Sequence, residues 1–257
     1  MQPNLLHVIF VNVFMLRILS LLLMNVFFSC EKQNVVAPPM DITNDTTITT
    51  PAKKDTIFSY LALGDSYTIG QAVQVAERYP VQATQLLFND SIQLYAPEII
   101  AQTGWTTSNL LSRINTSPPL KSTYDIVTLL IGVNNQYQGL SQSQYQREFT
   151  TLLNKAIQFA NNNSKHVIVL SIPDYSVTPY AERADKMKIA MEIDAFNAIN
   201  KEISLAKGVA YLDVTTSTRM ASTDRSLIAD DGLHPSGKEY AKWAVWLAPI
   251  IKNALKN

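Results

Sequence analysis

The sequence predicts an α/β domain: a parallel sheet of about five strands with helices on both faces. Three observations carry this. Short apolar runs rich in branched residues recur along the chain, longer segments with helical spacing separate them, and polar or glycine-containing turns follow the runs. Runs that are apolar at every position belong to strands buried on both faces, and strands that alternate with helices form parallel crossovers.

The apolar runs fall at 57–63, 92–100, 125–131, 166–172 and 209–214, and each is read as a strand. Helical spacing marks 79–88, 107–114, 141–161, 182–206 and 236–256. In the last of these Trp243, Trp246, Leu247 and Ile250 recur at helical spacing and are expected in the core. Ser236 stands where an N-cap would open that helix.

The chain has 257 residues, and the first 29 read as an export signal rather than as part of the fold. Residues 5–14 are mostly apolar, Arg17 interrupts them, and 18–28 are apolar again up to Ser29-Cys30. With a start at Met15, Arg17 becomes the charged region and 18–28 the apolar core of the signal. Cys30 is the sole cysteine, so it can form no disulfide within the chain. A small residue followed by Cys at the end of such a segment resembles a bacterial lipoprotein signal, which implies lipidation of Cys30 and a protein held at the cell envelope by its acyl chains. The competing readings are a plain secretory signal or a membrane anchor; Arg17 leaves the stretch beyond it short of the roughly 20 apolar residues a bilayer needs. Residues 30–55, rich in Thr, Pro, Asn and Asp, read as a flexible tether. The remaining 56–257 suffice for one catalytic domain and no second.

Lys plus Arg equals Asp plus Glu at 21 each, so nothing in the charge balance points to nucleic acid. No repeat period suggests a solenoid or propeller. No glycine-rich phosphate loop occurs, and two distant histidines outside the leader are too few to start a metal site, so no cofactor is expected.

In parallel sheets reactive groups collect where strands end and helices begin. Gly64-Asp65-Ser66 follows the first strand, Gly104 follows the second, Gly132-Val133-Asn134-Asn135 the third, and Pro173-Asp174-Tyr175 the fourth. All therefore share one edge of the sheet. A serine nucleophile needs a base that is itself held in one tautomer. His166 opens a predicted strand and belongs at the opposite edge, which leaves His234, in Asp231-Gly232-Leu233-His234-Pro235, as the base. Asp231 is placed ahead of the neighbouring Asp230 as its orienting carboxylate. The Ser66 N–H, the Gly104 N–H and the Asn134 side-chain amide are the candidate donors to an oxyanion. Each piece alone has a plainer reading: Gly-Asp-Ser is a common turn, Asn134-Asn135 are turn formers, and Asp-Gly before His-Pro is a way to enter a helix.

Taken together, the four blocks Gly64-Asp65-Ser66-Tyr67, Gly104, Gly132-Val133-Asn134-Asn135 and Asp231-Gly232-Leu233-His234 resemble the SGNH hydrolases of the GDSL esterase and lipase superfamily, over residues from about Phe58 to the end. The resemblance implies a flavodoxin-like three-layer α/β/α fold and metal-free hydrolysis through an acyl-enzyme. It also implies a catalytic triad of Ser66, Asp231 and His234, with Ser66, Gly104 and Asn134 as the oxyanion hole. Asn135 departs from the family, which usually has Asp there. No Gly-x-Ser-x-Gly elbow occurs, so the α/β-hydrolase plan is not expected.

The expected protein is thus an exported, lipid-anchored serine esterase, acting as a monomer on an ester of carbohydrate, most often acetyl, or of lipid. A lysophospholipase or thioesterase is the alternative; a deep apolar channel would favour it, a shallow aromatic-rimmed cleft the acetyl sugar. Tyr67, Trp105, Tyr137, Tyr175 and Tyr180 are expected near Ser66, where their rings would suit a sugar face or an acyl chain, or would simply pack the loops. A non-catalytic glycan-binding surface protein would keep the same fold. Asn135 is the feature pointing to it, and the intact Ser66, Asp231 and His234 speak against it.

Overall fold

The computed structural model describes residues 56–256; the expected leader (1–29) and the whole of the expected tether (30–55), Cys30 included, lie outside the described residues. In chain order the elements begin β1 (Ile57–Phe58), β2 (Tyr60–Asp65), α1 (Ser66–Ile69), α2 (Tyr79–Asn89), β3 (Gln93–Leu94), β4 (Glu98–Gln102) and α3 (Thr107–Thr116). They continue through β5 (Ile126–Leu130), α4 (Val133–Tyr137), α5 (Gln142–Phe159), β6 (Val167–Leu170), α6 (Lys186–Ala206), β7 (Ala210–Leu212), α7 (Thr215–Thr218) and α8 (Gly237–Ala254).

Five strands form the central sheet in the order β4-β2-β5-β6-β7, every pair parallel. Every residue of β2, β5 and β6 is buried, which is why these strands read as continuous apolar runs and not as alternation. Helices flank this sheet. α2 packs on α8 through Tyr79, Tyr240 and Trp243, whose ring centroids lie 5.0 to 6.2 Å apart. α5 meets α6 through Tyr145, which lies 5.5 Å from Phe149 and 4.7 Å from Phe196. The α/β/α fold expected from the sequence is the one observed.

Two strands are shorter than the apolar runs suggest, and both run into a break. The first run divides at Ser59, whose N–H donates to the Asp125 carboxylate at 2.7 Å instead of joining a ladder. The second divides at Ala96-Pro97, where proline has no N–H to give. The detached pieces, β1 and β3, pair with each other as a small parallel ribbon. α6 starts at Lys186, later than the helical spacing implies, because Asp185 caps it by accepting the Lys188 N–H at 3.0 Å. Trp246 is a further correction: it is 40% exposed. The buried stripe of α8 runs through Tyr240, Trp243, Ala244, Leu247 and Ile251, and Trp246 falls beside it.

The strand order has a consequence for function. From β2 the chain moves outward to β4, then returns to the other side of β2 with β5. The connection leaving β2 therefore runs toward β4 and the one leaving β5 runs the opposite way toward β6, opening a crevice between the carboxyl ends of β2 and β5, where ligands bind in open α/β sheets. The β2 end is Gly64-Asp65-Ser66.

The core makes a direct prediction. Phe149 is fully buried on α5 against Tyr145. Phe149→Ala should cost about 3–5 kcal/mol of unfolding free energy, read from urea denaturation of the purified chain; a loss below about 1 kcal/mol would contradict this packing.

Candidate active site

Ser66 owes its position to Gly64 and Asp65. A Cβ on Gly64 would lie 2.1 Å from Thr68 Oγ1 and 2.5 Å from the Leu130 carbonyl oxygen, so only glycine lets α1 fold down over the end of β2. The turn is sharp as a result. Asp65, fully buried, accepts the Tyr67 N–H at 3.0 Å and caps α1. The Ser66 N–H, at the first helical position, has no acceptor within the helix and remains available to a substrate. Burial, opposed by its bonds to backbone N–H groups, pushes the Asp65 carboxyl up to about 7.

His234 is held by one carboxylate in two ways. Asp231 Oδ1 accepts the N–H groups of Leu233 and His234, both at 2.9 Å, while Oδ2 lies 2.6 Å from His234 Nδ1. Backbone and ring are thereby fixed together, with Nδ1 turned to the carboxylate and Nε2 left for chemistry. The bond is made by Asp231 and not by Asp230. Burial raises the Asp231 carboxyl, but the bonds from the His234 ring, the His234 N–H and the Leu233 N–H outweigh it and hold the group below the usual carboxylate range. The turn itself is closed by Ala229 N–H to His234 O at 2.8 Å and by a bridge between Ile228 and Pro235. Tyr67 packs its ring 5.2 Å from the His234 ring.

Gly104 and Asn134 come from the loops flanking the crevice. Gly104 has φ +80°, a conformation that L side chains rarely adopt, and a Cβ there would point into open space. One N–H of the Asn134 amide is anchored on the Trp105 carbonyl at 3.0 Å, which links the two loops and leaves the second N–H unclaimed. Asn135, fully buried, accepts the Thr107 N–H at 3.0 Å and donates to Thr107 Oγ1 at 2.7 Å; Thr107 Oγ1 in turn donates to Glu148 at 2.5 Å. The residue that departs from the family pattern is therefore a bonded part of this loop, and Glu148 is its counterpart.

Ser66, Gly104, Asn134 and His234 all line one cavity of about 250 Å³ at the carboxyl edge of the sheet. Tyr67, Tyr137, Tyr175 and Tyr180 line the same cavity. Trp105 does not; it packs partly buried against the core and contributes its carbonyl to Asn134. His166 ends a short 3-10 turn before β6 and lines a separate cavity with Ser59 and Asp125, at the opposite edge. Among the described residues no group of three or more His, Cys, Asp or Glu could hold a metal ion.

Sequence reading missed the groups that hold the site together. Asp174, almost wholly buried, receives Arg219 Nε at 2.8 Å, and Arg219 Nη2 also reaches Asp194 at 2.7 Å, clamping the loop that carries Tyr175. Gln71, Thr103 and Leu233 are further cavity walls. Leu233 lies inside the Asp231–His234 block, and only adjacency to Gly104 could have marked Thr103.

A parallel three-layer sheet with a serine at its switch point, an aspartate-held histidine and convergent amide donors is the architecture of a hydrolase. The profile of the GDSL-like Lipase/Acylhydrolase family matches residues 62–242, and the chain belongs to that family. Solved structures agree on the fold. A lipase/acylhydrolase from Enterococcus faecalis superposes with a TM-score of 0.61 at 18% identity, covering 76% of this chain and 96% of its own. A lipase from a goat rumen metagenome gives 0.62 at 18%, covering 75% and 97%. A variant of an acetyl-xylooligosaccharide esterase from Geobacillus Stearmophilus gives 0.56 at 17%, covering 77% and 94%. No curated protein matches the chain.

Two predictions come from this geometry. The folded-state value of Asp65 lies above its unfolded one, so its contribution to stability is present below about pH 4 and is lost as pH rises to about 7. Asp65→Asn has no proton to lose. Across that window the variant should gain on the wild type by up to about 4 kcal/mol in denaturation series. Second, Asn135→Asp leaves two carboxylates competing for one Thr107 hydroxyl proton and should cost about 1–3 kcal/mol with a fall in kcat. Adding Glu148→Gln, which can donate to Thr107, should restore at least half of both.

Proposed function

We propose that the protein is a serine esterase that cleaves carboxylic esters through an acyl-Ser66 intermediate. The observation that carries this reading is the convergence of Ser66, His234 and three separate amide donors on one cavity, with Asp231 fixing the histidine from behind. His234 Nε2 takes the Ser66 hydroxyl proton as Oγ attacks the ester carbonyl carbon. Negative charge develops on the former carbonyl oxygen, and the N–H groups of Ser66 and Gly104 and the Asn134 amide receive it. As the tetrahedral intermediate collapses, the bond to the alcohol oxygen breaks and that oxygen takes the proton from His234. Water then repeats the sequence on the acyl-enzyme and frees the acid and Ser66. Asp231, held below the usual carboxylate range, is ionised throughout the neutral range and stabilises the imidazolium at each transfer.

The substrate reading is an acetylated or similarly short-acylated carbohydrate. A cavity of about 250 Å³ is smaller than the 300–1,000 Å³ that drug-sized ligands occupy. It therefore favours a short acyl group over a fatty one. The aromatic rim supports a sugar over an acyl channel. The leader and Cys30 support export and lipid anchoring of a single catalytic domain at a bacterial cell envelope, with the enzyme acting as a monomer.

The reading is tested by hydrolysis of p-nitrophenyl esters from acetate to palmitate, with Ser66→Ala alongside. Acetate should be the best substrate, and the variant should lose at least about 10⁴-fold in kcat. Preference for long chains would transfer the reading to a lipolytic enzyme. Wild type no faster than Ser66→Ala on every ester, in a folded sample, would contradict ester hydrolysis and favour a glycan-binding protein.

A further inference from the structure

The cavity has two chemically different walls, and proton transfer decides which end of the ester meets each. His234 must deliver its proton to the departing alcohol oxygen, so the alcohol lies on the His234 side of Ser66 and the acyl group on the other. Away from the histidine turn the cavity is lined by Gly104, Thr103 and Gln71, with the Thr103 hydroxyl bonded to the Gln71 side chain, and to this part of the wall the acyl group is assigned. This wall is short and polar.

The His234 side is bounded by a segment tied to the histidine turn itself. The Tyr180 N–H donates to the Gly232 carbonyl at 3.0 Å, and Tyr175 lines the cavity beside His234. Tyr137, carried by the helix that presents Asn134, closes onto the same segment: its hydroxyl lies 2.6 Å from that of Tyr180. The three rings sit 6.2 to 6.4 Å apart, Tyr175 edge-on to both others. Tyr175 is buried, yet Tyr137 is 56% and Tyr180 51% exposed. Two tyrosines are thus held half-exposed by ring contacts and a hydroxyl bond.

Such a wall presents apolar ring area with hydroxyls at its margin. An alcohol that matches it has an apolar C–H face and a rim of hydroxyls, as a pyranose ring has. An anionic leaving group, a phosphate or a uronate, would find no partner, because no Lys or Arg lines the cavity. We propose that Tyr137, Tyr175 and Tyr180 form the leaving-group subsite and that it takes a neutral sugar ring whose acylated hydroxyl points at Ser66. This assignment rests on the esterase reading above.

The test compares three acetate esters on the purified chain: ethyl acetate, a monoacetylated methyl xyloside, and a monoacetylated methyl glucuronoside whose carboxylate is free. The wild type should prefer the xyloside over ethyl acetate at least tenfold in kcat/KM, and over the glucuronoside by a similar factor. Tyr137→Ala and Tyr180→Ala should each reduce the xyloside-to-ethyl-acetate ratio about tenfold, through KM. Tyr137→Phe, which keeps the ring and removes one hydroxyl, should reduce it less and serves as the variant least exposed to misfolding. A ratio unchanged in the alanine variants, or a wild type that hydrolyses ethyl acetate and the xyloside equally well, overturns the subsite while the esterase stands. A wild type that hydrolyses none of the three overturns both.

Discussion

The arrangement depends on the reversal of sheet growth at β2. Because the chain steps from β2 to β4 on one side and then to β5 on the other, the loops leaving these strands diverge above the end of β2. The serine that follows β2 therefore sits in a crevice lined also by Gly104 and Asn134. Gly64 makes the turn into α1 tight enough to use that crevice, since any Cβ would collide with Thr68 and the Leu130 carbonyl. Only the histidine must be brought from elsewhere. The turn before α8 supplies it, oriented by a carboxylate three residues away.

Two aspartates near Ser66 meet opposite environments and do opposite things. Asp65 is buried, its bonds to backbone N–H groups leave one oxygen unpartnered, and burial outweighs them to push its carboxyl up to about 7. Asp231 receives three bonds, which overcome burial and keep it ionised. The first caps the turn that carries Ser66; the second, in the proposed mechanism, is the charge beside which an imidazolium forms. A similar division separates Asn135 from Glu148: the amide can both accept and donate on Thr107, while the carboxylate only accepts, and the pair satisfies Thr107 where two acids would not.

Much of this was legible in the sequence because parallel strands and the turns that follow them are local signals. The runs ending at Gly64 and Gly132 locate strand ends, and strand ends locate Ser66 and Asn134. His234 followed by elimination, since His166 opens a strand and lies at the far edge. What stayed hidden depends on partners distant in sequence. Trp246 shares the helical spacing of Trp243, yet the position of α2 places it outside the buried stripe. Trp105 neighbours Gly104 but turns to the core. The break at Ser59 depends on Asp125, 66 residues away, and the clamp of Arg219 on Asp174 spans 45.

The central claim is that His234, held by Asp231, makes Ser66 nucleophilic. A fluorophosphonate bonds covalently to a serine only when that serine is activated, and mass spectrometry of the digested protein locates the adduct. The account predicts a single adduct on Ser66, formed at least about 100-fold more slowly in His234→Ala. Folded protein that acquires no adduct, or that labels equally fast without His234, would contradict it.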